Sequence, residues 1–146
     1  MESQVIRRMM RHDIQSIEDD FDCPLKLREY YKHRDVEAIV VDEEGTVSGY
    51  LIAMRDGTVI EILHMEVAED KWGQGLGSEM LDHLDLITEE DMSIECALRE
   101  ADSGSHIFFK KNGYLCVGNM KVDNGPGYLF RKGWRFRRAP QEKYRM

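Results

Sequence analysis

The chain has 146 residues, 42% apolar and 33% charged, with a net charge of −8. That length suits one domain able to bury a core without staples. No apolar run approaches the roughly 18–20 residues of a membrane helix, and the charged start "MESQVIRRMMRHD" lacks a signal-peptide core, so the expectation is a cytoplasmic protein with no membrane association.

In chain order, "VIRRM" predicts a short first strand. "HDIQSIEDDF" and "PLKLREYYKHR" predict two helices, with Pro24 suited to the first turn of the second. "VEAIVVDEEGTVSGYLIAMRDGTVIEILHMEV" holds three apolar runs parted by "DEEGT" and "RDGT", an antiparallel meander in which Asp56-Gly57 is the stronger hairpin signal. Leu76, Met80, Leu81, Leu84 and Ile87 recur at helical spacing and predict a helix from Gly75 to about Glu90. "SIECALR" reads as a strand, "GSHIFFKKNG" as a helix ended by Asn112-Gly113, and "YLCVGNMKV" and "GYLFRK" as two last strands. The order predicts an α/β (α+β) protein, with a mixed, mostly antiparallel sheet of six or seven strands flanked by helices.

Charge is unevenly placed. Arg131 to Met146 holds seven basic residues and one acidic, a local +6, which leaves −14 on the remainder. The expected organisation is a domain over residues 1–131 and a basic C-terminal tail over 132–146. An acidic body disfavours nucleic acid and favours a cationic partner such as an amine or a basic peptide. Cys23, Cys96 and Cys116 form no C-x-x-C pair, and the strand-like settings of Cys96 and Cys116 predict buried thiols. The five histidines are dispersed without zinc-ligand spacing, so no metal is expected.

"HMEVAEDKWGQGLGSEMLDHL", residues 64–84, concentrates the chemistry. Gly73, Gly75 and Gly77 each cost about 0.5–1 kcal/mol relative to alanine in regular structure. A strand running into such a turn and then a helix presents unpaired N–H groups and the positive end of the helix dipole, a setting for phosphate. The spacing is G-x-G-x-G, not the dinucleotide G-x-G-x-x-G, and no Gly-Lys-Ser/Thr follows.

The stretch resembles the acyl-CoA signature of the GNAT superfamily of N-acetyltransferases: a strand ending in V-x-p, then R/Q-x-x-G-x-G/A opening a helix. Here it runs Val67, then Trp72-Gly73-Gln74-Gly75-Leu76-Gly77, with Trp72 where the family usually has Arg or Gln. "ALREADSGSHIFFKKNGY" is similar to the R-x-S-N-x-x-A-I-x-L-Y-x-x-x-G-F pattern of the peptide and ribosomal-protein N-terminal acetyltransferases. The resemblance covers about residues 4–131. It implies the GNAT fold and acetyl transfer from acetyl-CoA, as co-substrate, to a primary amine of a peptide, protein or small molecule. It implies pyrophosphate on Trp72, Gly73, Gln74, Gly75, Gly77 and Ser78, and pantetheine beside Met65 and Val67. A homodimer, common in the superfamily, stays open.

Acetyl transfer needs a neutral amine, and so a base. Glu61 is the first candidate. Its place six residues before Val67 resembles the glutamate base of histone-type members, and alternation puts it on a face with Leu63, Met65 and Val67, where apolar neighbours would raise its pKa. His64 and Glu66 fall on the opposite face, but a bulge just before the turn would reverse that, so both are reserve candidates for the base. Glu95 is a further candidate, because the peptide branch's fifth-strand glutamate is here Ala97. Phe109 stands where many members place a tyrosine beside the CoA sulfur, and it cannot donate a proton. These departures also leave open a catalytically weak CoA-binding sensor or interaction module.

Overall fold

The structure is a computed structural model and describes residues 4–134; most of the predicted basic tail, 135–146, lies outside the described residues. The elements are β1 Gln4–Arg8, α1 Arg11–Asp20, α2 Leu27–Tyr31, β2 Val36–Glu43, β3 Thr46–Asp56, β4 Val59–Val67, α3 Leu76–Ile87, β5 Ser93–Arg99, α4 Ser103–Lys111, β6 Leu115–Val122 and β7 Gly125–Lys132. They form one sheet in the order β1-β2-β3-β4-β5-β7-β6. The β4–β5 pair is parallel, whereas β1–β2, β2–β3, β5–β7 and β6–β7 are antiparallel. This is the expected mixed, seven-stranded sheet with helices. No described helix is long and apolar enough to cross a membrane.

The chain divides into two compact units. The first holds β1, α1, α2, β2, β3, the end of β4 from Leu63, and α3; the second holds the start of β4 up to Ile62, then β5, α4, β6 and β7.

In the first unit, Ile14 and Ile17 of α1 and Leu27 of α2 pack with Val36, Ala38 and Val40 of β2 and Val47, Tyr50 and Ile52 of β3. The start of α1 is fixed by charge. Asp13 is buried, accepts the Met10 N–H at 2.6 Å and takes two hydrogen bonds from Arg7 at 2.7 and 2.9 Å. Arg7 reaches Asp42 of β2 as well, at 3.2 Å, so one guanidinium joins β1, β2 and α1. Burial alone would raise the Asp13 pKa, but the Arg7 and Met10 hydrogen bonds and the Arg7 charge outweigh it and hold the carboxyl below its ordinary value.

Three local expectations need correction. The second helix is only Leu27–Tyr31, and Pro24 precedes it, because Phe21, Cys23 and Leu25 turn inward against the core in irregular chain. At the second hairpin the loop residues are Gly57 and Thr58, with Asp56 still in strand; Gly57, φ 64°, takes the left-handed first position. The first hairpin has positive φ at both Glu44 and Gly45, as a type I′ turn requires, whereas glycine at the first position alone suits a type II′ turn. Cys116 is exposed while Cys96 is buried, because β6 is an edge strand exposed along most of its length.

In the second unit, Ile94, Cys96 and Leu98 alternate inward along β5, and Phe109, Tyr114 and Phe130 are buried. Gly113, φ 90°, ends α4 as expected.

Asp13→Asn should lower stability by about 2 kcal/mol at pH 7, the scale of hydrogen bonds to a charged group. Because the folded pKa is depressed, this contribution is complete above the unfolded carboxyl value, about 3.9, and is lost as pH falls through the folded one. Urea unfolding should therefore show wild type and variant converging in acid; a gap that persists unchanged at pH 2 would contradict the role given to the charge.

Candidate active site

Two groups of residues in the first unit bear on chemistry. One is the turn between β4 and α3. After Val67 the chain makes a short 3₁₀ turn, Glu69–Lys71, then passes through Gly73 and Gly75, both at φ 81°. A side chain is strained in that conformation, so glycine is required by the backbone itself. A β-carbon at either position would meet nothing within 4 Å, so open space borders both. The Glu79 N–H donates to the Gly75 carbonyl at 3.0 Å, which leaves the N–H groups just before it at the free end of a twelve-residue helix. Left-handed glycines, open space and unpaired donors fit a pyrophosphate.

Trp72 supplies no charge here. Its indole N–H folds back to the Val67 carbonyl at 2.8 Å, while the side chain is 67% exposed. The adjacent cation is Lys71, which lies 3.4 Å from Glu43.

The second group lies on β3 and β4. The buried Tyr50 hydroxyl donates to Glu66 Oε1 at 3.0 Å, and His64 Nε2 lies 3.2 Å from the same oxygen. The Tyr50 ring packs against His64 at 5.6 Å and Phe21 at 5.1 Å between centroids. Burial, then Cys23 and Glu66, push the Tyr50 phenol well above its ordinary range, so it stays a proton donor to Glu66. The contact engages Nε2 of His64 and leaves Nδ1 without a hydrogen bond among the described residues.

Strict alternation along β4 fails. Leu63 packs against the cluster that contains Tyr50, and His64 meets Tyr50 too. Val67 is on the other side: a β-carbon on Gly49, which precedes Tyr50, would lie 3.5 Å from Val67 Cγ2 and 3.2 Å from Met80 of α3. Leu63 and Val67 therefore do not share the single face on which period two would place them. The break between 63 and 64 is the kind of irregularity a bulge makes. Sequence reasoning did not single out Tyr50, whose hydroxyl reaches Glu66; its only signal was one tyrosine among the apolar residues of a central strand.

In the second unit, Glu61 of β4 stands in register with Glu95 of β5. Glu61 is exposed rather than enclosed by apolar side chains, and among the described residues its side chain has no hydrogen bond or ion pair. Glu95 is mostly buried, and its Oε2 is held by Arg131 of β7 at 2.6 Å from Nε and 2.5 Å from Nη2. Burial, with the charges of Glu61 and Asp102, pushes the Cys96 thiol up to about 12, so it is no nucleophile at neutral pH. Phe109 is buried, edge-on to Phe108 and Tyr114 at 5.3 and 5.1 Å. Among the described residues no group of three or more His, Cys, Asp or Glu side chains is arranged to hold a metal.

The profile of the acetyltransferase (GNAT) family matches residues 6–114. The chain belongs to the GNAT family. Solved structures of similar fold include the ribosomal-protein-S18-alanine N-acetyltransferase of Escherichia coli, 14% identical over 88% of this chain and 91% of that one, TM-score 0.72. Ard1 of Thermoplasma volcanium is 20% identical over 89% and 97%, TM-score 0.72. The SpeG spermidine N-acetyltransferase F149G mutant of Vibrio cholerae is 10% identical over 92% and 95%, TM-score 0.75. No curated protein sequence matches the chain. GNAT enzymes use acetyl-CoA as co-substrate, and the glycine turn has the donors and space for its pyrophosphate.

Gly75→Ala should cost about 1–2 kcal/mol of stability without any ligand, the penalty of a left-handed β-carbon-bearing residue. Gly75→Asn should recover part of that, since asparagine tolerates the region. Equal stability of all three proteins in urea would contradict the conformational requirement.

Proposed function

We propose that this GNAT protein transfers an acetyl group from acetyl-CoA to a primary amine of a peptide, protein or small molecule by direct attack. The observation that carries the proposal is the turn at Gly73 and Gly75, left-handed and bordered by open space, in a chain of an acetyltransferase family. In this reading the backbone of Gly73, Gln74, Gly75, Gly77 and Ser78 binds pyrophosphate. Trp72 flanks it as a neutral wall, Met65 and Val67 run beside the pantetheine, and Phe109 lies toward its sulfur end. Acetyl-CoA supplies an activated thioester carbonyl.

Glu61 takes the proton. An α-amine near pKa 8, or a lysine-like one near 10, must lose a proton to attack. Glu61 supports this role by being exposed and uncommitted, whereas Glu95 is held by Arg131. The amine nitrogen bonds to the carbonyl carbon, its proton passes to Glu61 directly or through water, and the C–S bond breaks with its electron pair on sulfur. Phe109 offers no acidic hydrogen and Tyr114 is buried against it. The sulfur leaves as a thiolate without a positioned acid, which a thiol pKa of about 8–9 permits.

A second reading assigns the base to His64, and the shared hydrogen bond at Glu66 favours it, because it orients the ring and leaves Nδ1 free. The acidic body away from the tail favours cationic acceptors. Similar folds bear the names of enzymes for a protein N-terminus and for spermidine, and both are amines.

Thiol release over an amine panel, with calorimetry of CoA binding, tests this. Glu61→Gln should lower kcat by about 10²-fold or more and remove the acid limb of the pH profile, with CoA affinity kept. Unchanged turnover in Glu61→Gln, with loss in both His64→Gln and Glu66→Gln, would move the base to His64. Gly75→Asn should weaken CoA binding even where its stability recovers, and equal affinity would contradict the cradle. CoA binding with no turnover on any amine would make the protein a CoA-responsive module instead.

A further inference from the structure

In the first unit, Glu66 is a carboxylate with one oxygen occupied and no standing counter-charge. Both contacts of its side chain fall on Oε1, from the Tyr50 hydroxyl at 3.0 Å and His64 Nε2 at 3.2 Å. Oε2 has no hydrogen bond or ion pair among the described residues. Tyr50 stays a neutral phenol, and His64 adds charge only when protonated. Elsewhere the inward-turned carboxylates meet a permanent cation: Asp13 and Asp42 meet Arg7, and Glu43 meets Lys71. Glu66 meets none among the described residues. Its side chain is 34% exposed, so a solute can reach the carboxylate. The neighbouring surfaces are aromatic, with the Tyr50 ring 5.6 Å from His64 and 5.1 Å from Phe21 between centroids.

A carboxylate taken partly out of water is best compensated by a positive hydrogen-bond donor. Fixing Oε1 orders the group before any ligand arrives, which lowers the entropy lost on binding. A guanidinium fork calls for two free oxygens, and here one is taken. An alkylammonium needs only one, and its flanks are tolerated by aromatic faces. We propose that Glu66 is a specificity-determining residue that receives an alkylammonium group of the acceptor on Oε2. The group so held is not the one that attacks. A negative charge beside it favours its protonated form, which has no lone pair to offer a thioester. The acceptor therefore carries at least two amino groups, one bound and charged, the other neutral at the moment of attack. This rests on the acetyl-transfer reading above and narrows its substrate class to diamines, free or within a lysine-bearing peptide.

The probe is 1,4-diaminobutane, compared with 4-aminobutan-1-ol, which keeps the length and loses one charge. Calorimetry on the full chain with CoA present should show the diamine binding roughly tenfold or more tightly, the scale of one hydrogen bond to a charged group. Glu66→Gln keeps an oxygen for Tyr50 and His64, so thermal unfolding and CoA affinity should hold while the preference disappears. In the transfer assay the variant should raise KM for the diamine roughly tenfold, with kcat near wild type and KM for the amino alcohol unchanged. Alanyl-lysine amide against alanyl-norleucine amide separates a peptide source from a free diamine, and the arm with the higher kcat/KM should carry the Glu66-dependent preference. Equal wild-type binding of diamine and amino alcohol, or a preference that survives Glu66→Gln, would overturn the proposal. So would a fall in kcat on both probes with KM unchanged, which would leave Glu66 only orienting His64. A charge preference lost in Glu66→Gln without turnover on any amine would uphold the ammonium site and remove the acetyl-transfer reading instead.

Discussion

A buried phenol must give its hydrogen to something, and in the first unit Tyr50 gives it to Glu66. Tyr50 has no solvent exposure, so an unmade bond would cost about 1–3 kcal/mol of desolvation. That requirement ties the middle of β3 to the end of β4. The same Glu66 oxygen then has a lone pair for His64. The ring of Tyr50 is a wall for Phe21, which draws the segment after α1 inward and leaves α2 short. The hydroxyl thus ties β3 to the end of β4 beside His64, while the ring of the same residue packs Phe21.

β4 then has to leave the sheet and begin a helix within a few residues. Val67 and Met80 close against the bare α-carbon of Gly49, where a β-carbon would sit 3.2 Å from the Glu66 carbonyl oxygen and from Met80. The absence of a side chain at Gly49 lets α3 approach β3, as the absence of side chains at Gly73 and Gly75 lets the turn adopt positive φ. These are different uses of glycine. At Gly49 space is short and φ is ordinary; in the turn space is open and φ is not. Open space beside a backbone that must be glycine is what a bound anion needs, and tight packing alone would not leave it. Trp72 fits this division, since its indole satisfies the Val67 carbonyl and spends its hydrogen bond on structure.

Much of the fold was legible because the strong signals were local. The apolar runs of β2 and β3, the alternation in β5, the helical spacing of α3 and the Asn112-Gly113 stop all report on residues within a few positions of one another. The glycine turn was legible for the same reason, as was the family. What the sequence hid depends on distant residues. Pro24 suits a helix start, but inward packing of Phe21, Cys23 and Leu25 decides that stretch. Cys116 has an apolar setting, yet the edge position of β6 exposes it. Nothing local to Glu95 announces Arg131, thirty-six residues away, and nothing local to Glu66 announces Tyr50. Period two misplaced Leu63 and Val67 because a single irregularity in β4 changes every face after it.

The pairing of Glu61 with Glu95 shows how such a distant contact separates two similar residues. Both are glutamates on strand positions in register, and like charges so placed repel. The second unit relieves this on one side only. Arg131, set opposite Glu95 in the β5–β7 ladder, brings its Nε and Nη2 to one carboxylate oxygen. A carboxylate so held is fixed in place by two charge-assisted hydrogen bonds. Glu61 receives no such partner and stays in contact with solvent. The neighbouring Cys96, buried between the charges of Glu61 and Asp102, is kept as a thiol, which removes a competing nucleophile from the strand. Of the two carboxylates in this register pair, Glu61 is the one whose side chain has no partner among the described residues, and the difference comes from a cation that no motif contains.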